Sequence, residues 1–180
     1  MKLISWNVNG LRAVHRKEAL MPLINQEQPD ILCLQETKSH REQLSEDLIH
    51  IPGYHSYFES GERKGYSGVA IYTKQAPMSI QTGFDMDDRF DKEGRIQIAR
   101  FEKFILFNIY FPNGGARPER LQYKLDFYQE MLAYLESIGH TDVPIIIGGD
   151  VNTAHQPIDL ARPKENEKTS GFMPIEREWI

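Results

Sequence analysis

Four stretches of the sequence decide the fold: KLISWNVNG (2–10), DILCLQETK (30–38), FILFNIYFPNG (104–114) and VPIIIGGDVN (143–152). In each, a run of mostly apolar residues leads into a carboxylate, a carboxamide or a phenol. This pattern is typical of buried strands whose ends deliver polar side chains to a shared site. The side chains delivered in this way are Asn7, Asn9, Glu36, Tyr110, Asn113, Asp150 and Asn152.

The chemistry of this set indicates a metal site for phosphate. The side chains offer oxygen donors and include no cysteine and no histidine pair, which favours a hard cation such as Mg²⁺. Four of these residues also have a structural reading. Asn7 could form a turn, Asp150 and Asn152 could form an Asx turn or a helix N-cap, and Tyr110 could pack between strands.

Composition indicates an ordinary globular chain. It has 180 residues, of which 40% are hydrophobic and 26% charged, and this predicts one domain over residues 1–180. The single cysteine, Cys33, cannot form an internal disulfide, and the N-terminus lacks the apolar run of a signal peptide. We therefore expect a cytoplasmic protein with no membrane partner.

The net charge of −5 argues against a protein that coats polyanions by bulk attraction. A phosphodiester enzyme can still be acidic overall, because its metal and a few basic loop residues supply local positive charge. The basic residues next to the motifs are either such phosphate contacts or ordinary surface charges. They are Arg12, Arg16, Lys38, Arg41, Arg117, Arg120 and Lys124.

Periodicity along the chain predicts an α/β sandwich. Helices are expected over residues 16–27, 41–49 and 118–137, with Gly139 as a C-cap. Strands are expected over 2–7, 30–35 and 144–148, the last ending in a GGD turn. Between residues 54 and 110, five strand-like runs resemble an antiparallel meander with a hairpin near 102–103. Neither GxGxxG nor GxxxxGK[ST] occurs, so no nucleotide-binding loop is predicted.

Seven motifs in order resemble the exonuclease III family of apurinic/apyrimidinic (AP) endonucleases: WNVNGLR, LQETK, GYSGVAI, YFPNGG, GGDVNTAH, DLARPKEN and SGFMPIERE. The resemblance covers essentially the whole chain and places it in the endonuclease/exonuclease/phosphatase superfamily. It implies a four-layer αββα sandwich similar to deoxyribonuclease I. It also implies Mg²⁺-dependent cleavage of DNA 5′ to an abasic site, with Mn²⁺ as a possible substitute. Related activities are 3′→5′ exonuclease, 3′-phosphodiesterase and 3′-phosphatase.

The resemblance also implies roles for individual residues. The implied metal site contains Asn7, Glu36, Asp150 and Asn152, with Glu36 as the principal ligand and Asn9 in support. The implied catalytic residues are Tyr110, which contacts the phosphate, Asp150, which moves a proton, and Asn152, which holds the nucleophile or an oxygen. Tyr66, Asn113, Arg117 and Arg120 are expected to contact DNA. The implied partner is double-stranded DNA with abasic sites or blocked 3′ ends, and no obligate protein partner is indicated.

The end of the chain departs from the family pattern. Relatives continue further and carry a Ser-Asp-His motif, which does not occur here, and PIEREWI (174–180) resembles the start of a helix. We therefore expect the N-terminal two thirds of an incomplete sandwich, with one sheet face exposed. We also expect the 180-residue chain alone to be catalytically impaired. Three alternatives remain: a superfamily phosphatase, a non-catalytic DNA-binding module, and a purely structural domain.

Overall fold

A computed structural model describes residues 1–115 and 117–180. These residues form two compact units. The first contains Met1–Tyr110 and His140–Asp150, and the second contains Phe111–Gly139 and Val151–Ile180. Within the described ranges, no helix is both long and apolar enough to cross a lipid bilayer.

The first unit is built on two four-stranded mixed sheets. The strand order is β1-β2-β4-β3 in one sheet and β5-β6-β7-β8 in the other. The strands are β1 (Leu3–Asn7), β2 (Ile31–Gln35), β3 (His55–Glu59), β4 (Val69–Thr73), β5 (Ser79–Thr82), β6 (Ile96–Arg100), β7 (Ile105–Tyr110) and β8 (Ile145–Asp150).

Each sheet contains one parallel pair, and these two pairs set the position of the polar strand ends. β1 runs parallel to β2 with Asn7 opposite Gln35, and β7 runs parallel to β8 with Tyr110 opposite Asp150. All other pairings are antiparallel. Parallel strands end at the same edge of a sheet, so each pair delivers its carboxyl-terminal side chains together.

The two sheets pack face to face. Cys33 and Ile71 from the first sheet lie in one buried cluster with Ala99 and Leu106 from the second. A buried amide, that of Asn108, also joins them, because it accepts a hydrogen bond from Gln35 Nε2 (2.8 Å) and donates to the backbone of the first sheet. The inner faces of both sheets are therefore covered.

Helices lie on the outer face of the first sheet. They are α1 (Leu11–Arg16), α2 (Leu20–Glu27) and α3 (Glu46–Ile49), with a 3₁₀ turn at Arg41–Gln43. A further short helix, α4 (Asp88–Asp91), connects β5 and β6. The apolar faces of α1, α2 and α3 share one core with β2 and β4. Their burial follows the helical spacing of leucine and isoleucine in the sequence.

The second unit is built on a long helix, α5 (Pro118–Ile138), with α6 (Pro163–Asn166), α7 (Pro174–Trp179) and a 3₁₀ turn at Pro157–Asp159. Proline opens α5 and Gly139 closes it in the left-handed region, with φ +61°. An aromatic cluster holds the unit together. Phe111 contacts the rings of Phe127 and Tyr128, and Trp179 stacks on Tyr128 with ring centroids 4.2 Å apart.

The structure confirms the predicted α/β sandwich of two mixed sheets with helices, the hairpin near 102–103 and the cap at Gly139. The helix predicted over 16–27 is confirmed from Leu20 to Glu27, as α2, but its predicted start is wrong. A helix that was not predicted, α1, precedes it, and the chain turns between the two, where Glu18 has a φ of +52°. The helix predicted over 41–49 is divided into the 3₁₀ turn and α3.

Three further expectations are wrong. The strands between residues 54 and 110 do not form one meander, because β3 and β4 join the first sheet while β5, β6 and β7 join the second. The GGD segment is not a turn but the end of β8, paired with residues 108–110. The inner sheet face that was expected to be exposed is instead covered, because both sheets are present and pack against each other; exposed apolar surface remains on β8, where Ile147 is 45% exposed.

Candidate active site

Glu36 stands at the end of β2 in an uncommon backbone conformation. Its φ is +53°, a left-handed value that costs energy in a residue with a bulky side chain. The surrounding backbone holds it there. Glu36 O accepts a hydrogen bond from Gly10 N (2.7 Å), and the next residue, Thr37, donates its N–H to Gly68 O (3.1 Å). The half-buried carboxylate is therefore fixed between the loops that follow β1 and precede β4.

Asn7, at the end of β1, joins two carboxylates. Its Nδ2 donates to Glu36 Oε1 at 2.9 Å and to Asp150 Oδ2 at 2.7 Å, while its Oδ1 accepts from Asn9 N at 3.0 Å. Glu36 and Asp150 belong to different sheets, yet they contact the same nitrogen atom. In this arrangement Asn7 presents its amide hydrogens to the two carboxylates.

Asp150 and Tyr110 lie side by side at the ends of β8 and β7. The backbone before Asp150 allows this only because residue 149 is glycine. Gly149 has a φ of +132°, and a Cβ there would lie 1.9 Å from Ile109 O. The GG pair in the motif is therefore needed for close approach of the two strands.

The Tyr110 phenol remains a hydrogen-bond donor near neutral pH. Burial raises the pKa of Tyr110 well above its usual value, and the hydrogen bond to the Glu36 carboxylate raises it further. Burial also raises the pKa of Glu36, but hydrogen bonds from Asn7, Lys38 and Tyr110 outweigh this effect and hold that pKa below its usual value. The site therefore pairs an ionised carboxylate with a neutral phenol.

Arg95 connects Tyr110 with Tyr66, and sequence reasoning missed it. The guanidinium donates to Tyr110 O (3.1 Å) and to the Tyr66 hydroxyl (2.6 Å), and it forms an ion pair with Glu93 (2.5 Å). It also lies 4.7 Å from the centroid of the Tyr110 ring. The only signal in the sequence was an arginine at the start of an apolar strand, which is usually an exposed position.

The second unit contains the remaining predicted site residues. Asn152 has a φ of +49°, and its Nδ2 donates to Phe111 O at 2.8 Å. The exposed Asn113 forms a local turn, with Gly115 N donating to its Oδ1 at 2.7 Å. Arg117 caps the start of α5, and the Arg120 guanidinium lies over the Tyr123 ring at 4.3 Å. Their roles toward DNA stay predictions.

Lys124 fits neither of the two readings given for it from the sequence. Its side chain is fully buried, so it is neither a surface charge nor a contact for a DNA phosphate. The ammonium instead forms an ion pair with the equally buried carboxylate of Glu176 at 2.7 Å. The sequence signal was present but weak, because Lys124 lies on the same helical face as Leu121 and Tyr128.

The donor set at the strand ends fits a hard divalent cation. Two carboxylates from different sheets share one amide donor, and a cation between them would offset their mutual repulsion. Within residues 1–115 and 117–180, no group of three or more His, Cys, Asp or Glu side chains could hold a metal. One or two carboxylates with water is nevertheless the usual way in which proteins bind Mg²⁺.

Comparison with known proteins identifies the family. Residues 4–177 match the model of the endonuclease/exonuclease/phosphatase family. The chain belongs to this family. Among its relatives, the exodeoxyribonuclease of Bacillus subtilis is 40% identical to this chain over 178 residues, and the chain covers 69% of that protein. The DNA repair nuclease APEX1 of Danio rerio is 43% identical, with 57% of its length covered.

Coverage of the relatives is partial. The chain is 43% identical to recombination repair protein 1 of Drosophila melanogaster but spans only 26% of it, whereas each match includes 99% of this chain. Solved structures agree with the deoxyribonuclease-I-like fold. An AP endonuclease from Archaeoglobus fulgidus superposes with a TM-score of 0.86 at 29% identity, over 99% of this chain and 68% of that one.

A second solved structure is described with DNA. The 3′ phosphatase NExo from Neisseria, bound to a product DNA hairpin, has a TM-score of 0.82 at 25% identity. The match covers 99% of this chain and 68% of that one.

Proposed function

We propose that the full-length protein to which this chain belongs is a Mg²⁺-dependent DNA repair nuclease that cleaves the phosphodiester 5′ to an abasic site, and that the 180-residue chain alone is catalytically impaired. Its further activities in this proposal are 3′→5′ exonuclease and 3′-phosphodiesterase. The single observation that carries it is the Asn7 amide, which contacts carboxylates from two sheets at 2.9 and 2.7 Å. Such a convergence from distant parts of the chain is expected of a site, not of independent turns.

Divalent metal dependence is general among the enzymes of this family, and the identity of the ion as Mg²⁺ is part of the proposal. Glu36, Asp150 and Asn152 would hold the ion, together with Asn7 through its Oδ1, since the Asn7 Nδ2 donates to the two carboxylates. The ion would neutralise charge on the phosphate oxygens. Mn²⁺ offers the same preference for oxygen ligands.

The chain's own groups supply the remaining chemistry. Asp150 is proposed to accept the proton of the attacking water, or to pass a proton to the leaving 3′ oxygen. The Tyr110 phenol, kept neutral by burial and by Glu36, is proposed to donate a hydrogen bond to a non-bridging phosphate oxygen. Asn152 is proposed to hold the nucleophile or the oxygen that becomes charged in the transition state.

Double-stranded DNA is the proposed substrate. Several relatives are named as DNA repair nucleases or AP endonucleases, and one solved relative is described with product DNA. Tyr66, Asn113, Arg117 and Arg120 are proposed to contact the DNA strand. A cytoplasmic location is a further proposal. It is supported by the single cysteine, Cys33, which is buried and does not form a disulfide.

A single experiment tests the proposal. A duplex oligonucleotide with one tetrahydrofuran abasic analogue, labelled at its 5′ end, is incubated with the protein in Mg²⁺ and in EDTA. We expect incision immediately 5′ to the analogue in Mg²⁺ alone, slower for the 180-residue chain than for the full-length protein, and a loss of roughly 10²-fold or more in Glu36→Gln and Asp150→Asn. Incision that survives in both variants would overturn the proposal.

A superfamily phosphatase is the second candidate, because one solved relative is described as a 3′ phosphatase. The same oligonucleotide with a 3′-phosphate end, and an inositol phosphate, distinguish the two. Phosphate release from the inositol compound without incision of DNA would favour the phosphatase. Binding of the abasic duplex without release of any product would favour a DNA-binding module.

A further inference from the structure

A buried ion pair in the second unit lies directly behind Asn152. The Lys124 side chain projects from the middle of α5, and both its charge and that of Glu176 are fully buried. Charges are rarely removed from water unless each one is paired and hydrogen-bonded. Lys124 Nζ meets that requirement with two acceptors, Glu176 Oε1 at 2.7 Å and the backbone oxygen of Asn152 at 2.7 Å.

Glu176 is itself fixed by its surroundings. Its Oε1 accepts from Ser170 Oγ (2.8 Å) as well as from Lys124, and its Oε2 accepts from Gly171 N (2.7 Å) and Met173 N (3.0 Å). Burial raises the pKa of Glu176, but the hydrogen bonds from Lys124 and Ser170 outweigh it and keep the carboxylate ionised. The other three donors fix the Glu176 carboxylate in place, and the fixed carboxylate holds the Lys124 ammonium.

Lys124 binds the backbone carbonyl of Asn152, and the orientation of this peptide determines where the Asn152 side chain lies. Asn152 is in the left-handed region with φ +49°, so it depends on its neighbours to hold it there. Its Nδ2 donates to Phe111 O at 2.8 Å, and its carbonyl accepts from Lys124. Two residues on, Ala154 N donates to Gly171 O at 2.8 Å. The loop is thus tied to the same 170–176 segment that carries Glu176.

We infer that Lys124 and Glu176 are positioning residues for Asn152. The ammonium holds the Asn152 carbonyl, the carboxylate holds the ammonium, and the fixed peptide directs the Asn152 amide. Neither charged group touches the substrate. The inference rests on the proposed function, because it requires Asn152 to take part in the reaction.

A purely structural role makes a different prediction. If the ion pair only stabilises the packing of the 170–176 segment, its loss lowers the melting temperature and leaves the turnover of the folded protein unchanged. If it positions Asn152, its loss lowers kcat with little change in KM. Groups that support a functional residue in this way cost roughly 10- to 100-fold when removed.

The test compares Lys124→Met, Asn152→Ala and the double variant in the abasic incision assay. Lys124→Met keeps most of the length and the apolar character of the side chain, removes its charge and donors, and leaves the buried Glu176 carboxylate without its ion-pair partner. We expect it to lower kcat roughly 10- to 100-fold. We also expect the double variant to be no slower than Asn152→Ala, because Lys124 acts through Asn152. Multiplied losses in the double variant, or an unchanged kcat in folded Lys124→Met, would overturn the inference.

Controls separate the possible causes. Met131→Ala removes a buried side chain on the same helix and should lower the melting temperature without lowering kcat. Ser170→Ala removes one hydrogen-bond donor from Glu176 and replaces Lys124→Met if that variant does not fold. We expect a small fall in kcat for Ser170→Ala, and an unchanged kcat would contradict the inference. If Asn152→Ala retains full activity, the role proposed for Asn152 in the reaction is wrong. This result does not depend on any Lys124 variant, so it is distinguished from a failure of the positioning role alone.

Discussion

Removal of the Asn7 amide should destabilise the fold in a manner that depends on pH. Asn7→Ala deletes two hydrogen bonds to carboxylates, at 2.9 and 2.7 Å, and leaves Glu36 and Asp150 facing each other without a shared donor. A hydrogen bond to a charged group contributes about 1.5–3 kcal/mol. Because the carboxylates are only partly buried, water replaces some of this, and we expect a loss of about 2 kcal/mol in total.

The pH dependence follows from the direction of the Glu36 shift. Hydrogen bonds, including the one from Asn7, hold the pKa of Glu36 below its usual value. A carboxyl group with a lowered pKa stabilises the folded state above its unfolded pKa, and this stabilisation is lost as the pH falls through the folded pKa. The difference between wild type and Asn7→Ala should therefore be large at pH 7 and small near pH 3.

Thermal unfolding without divalent metal is the appropriate assay. For a chain of this size, a loss of about 2 kcal/mol corresponds to a fall of about 4–8 °C in Tm at pH 7. Asn25→Ala, at an exposed helix position, is the matched control and should stay within about 0.5 kcal/mol of wild type. If the Tm values of wild type and Asn7→Ala differed equally at pH 7 and pH 3, or did not differ at pH 7, the Asn7 amide would not stabilise the ionised carboxylates as proposed.

Three further predictions concern the same unit. Glu36→Gln and Asp150→Asn should each abolish most of the increase in Tm that Mg²⁺ produces in wild type, measured by titration; an unchanged increase would contradict the assigned site. Burial raises the pKa of Cys33 to about 12, so a disulfide reagent at pH 8 should label it only after unfolding, whereas rapid labelling of the native protein would disprove this burial. Gly149→Ala should cost at least about 3 kcal/mol in urea unfolding, while Gly148→Ala, whose Cβ would lie 3.9 Å from its nearest neighbour, should be far milder; equal effects would contradict the role of close strand approach.

The strand ends could be predicted because the signal is local. Apolar runs that stop at Asn7, Glu36, Tyr110 and Asp150 mark the point where a buried strand leaves the core. The structure has all four at strand ends, or one residue beyond, and joins them by hydrogen bonds. Their chemical roles stay predictions, since side-chain proximity alone does not assign a reaction.

The partition of strands between two sheets could not be predicted, because pairing depends on residues far apart in the chain. β4 pairs with β2 and not with β7, although all three strands are buried and of similar apolar character. The start of the first predicted helix was misplaced for another reason. Residues 15–18 are all polar and carry no apolar periodicity, so the sequence pattern does not show that a turn at Glu18 separates α1 from α2.

Buried charged residues were the other failure. Arg95 and Lys124 have long charged side chains of a kind usually found at the surface, yet both are buried. Each is paired with a carboxylate that the sequence pattern did not identify as its partner. Lys124 pairs with Glu176, which is 52 residues away. The left-handed backbone of Glu36 was equally hidden, because it follows from hydrogen bonds with neighbouring loops, including the one between Gly10 N and Glu36 O.

Anomalous diffraction from crystals of the protein grown with Mn²⁺ would show whether Glu36 and Asp150 form a metal site. We predict a manganese peak at the ends of β2 and β8, within coordination distance of the Glu36 carboxylate and with Asp150 beside it. We also predict that the peak disappears in Glu36→Gln. Manganese bound only elsewhere, or an unchanged peak in that variant, would contradict the claim that the two sheets jointly form a metal site.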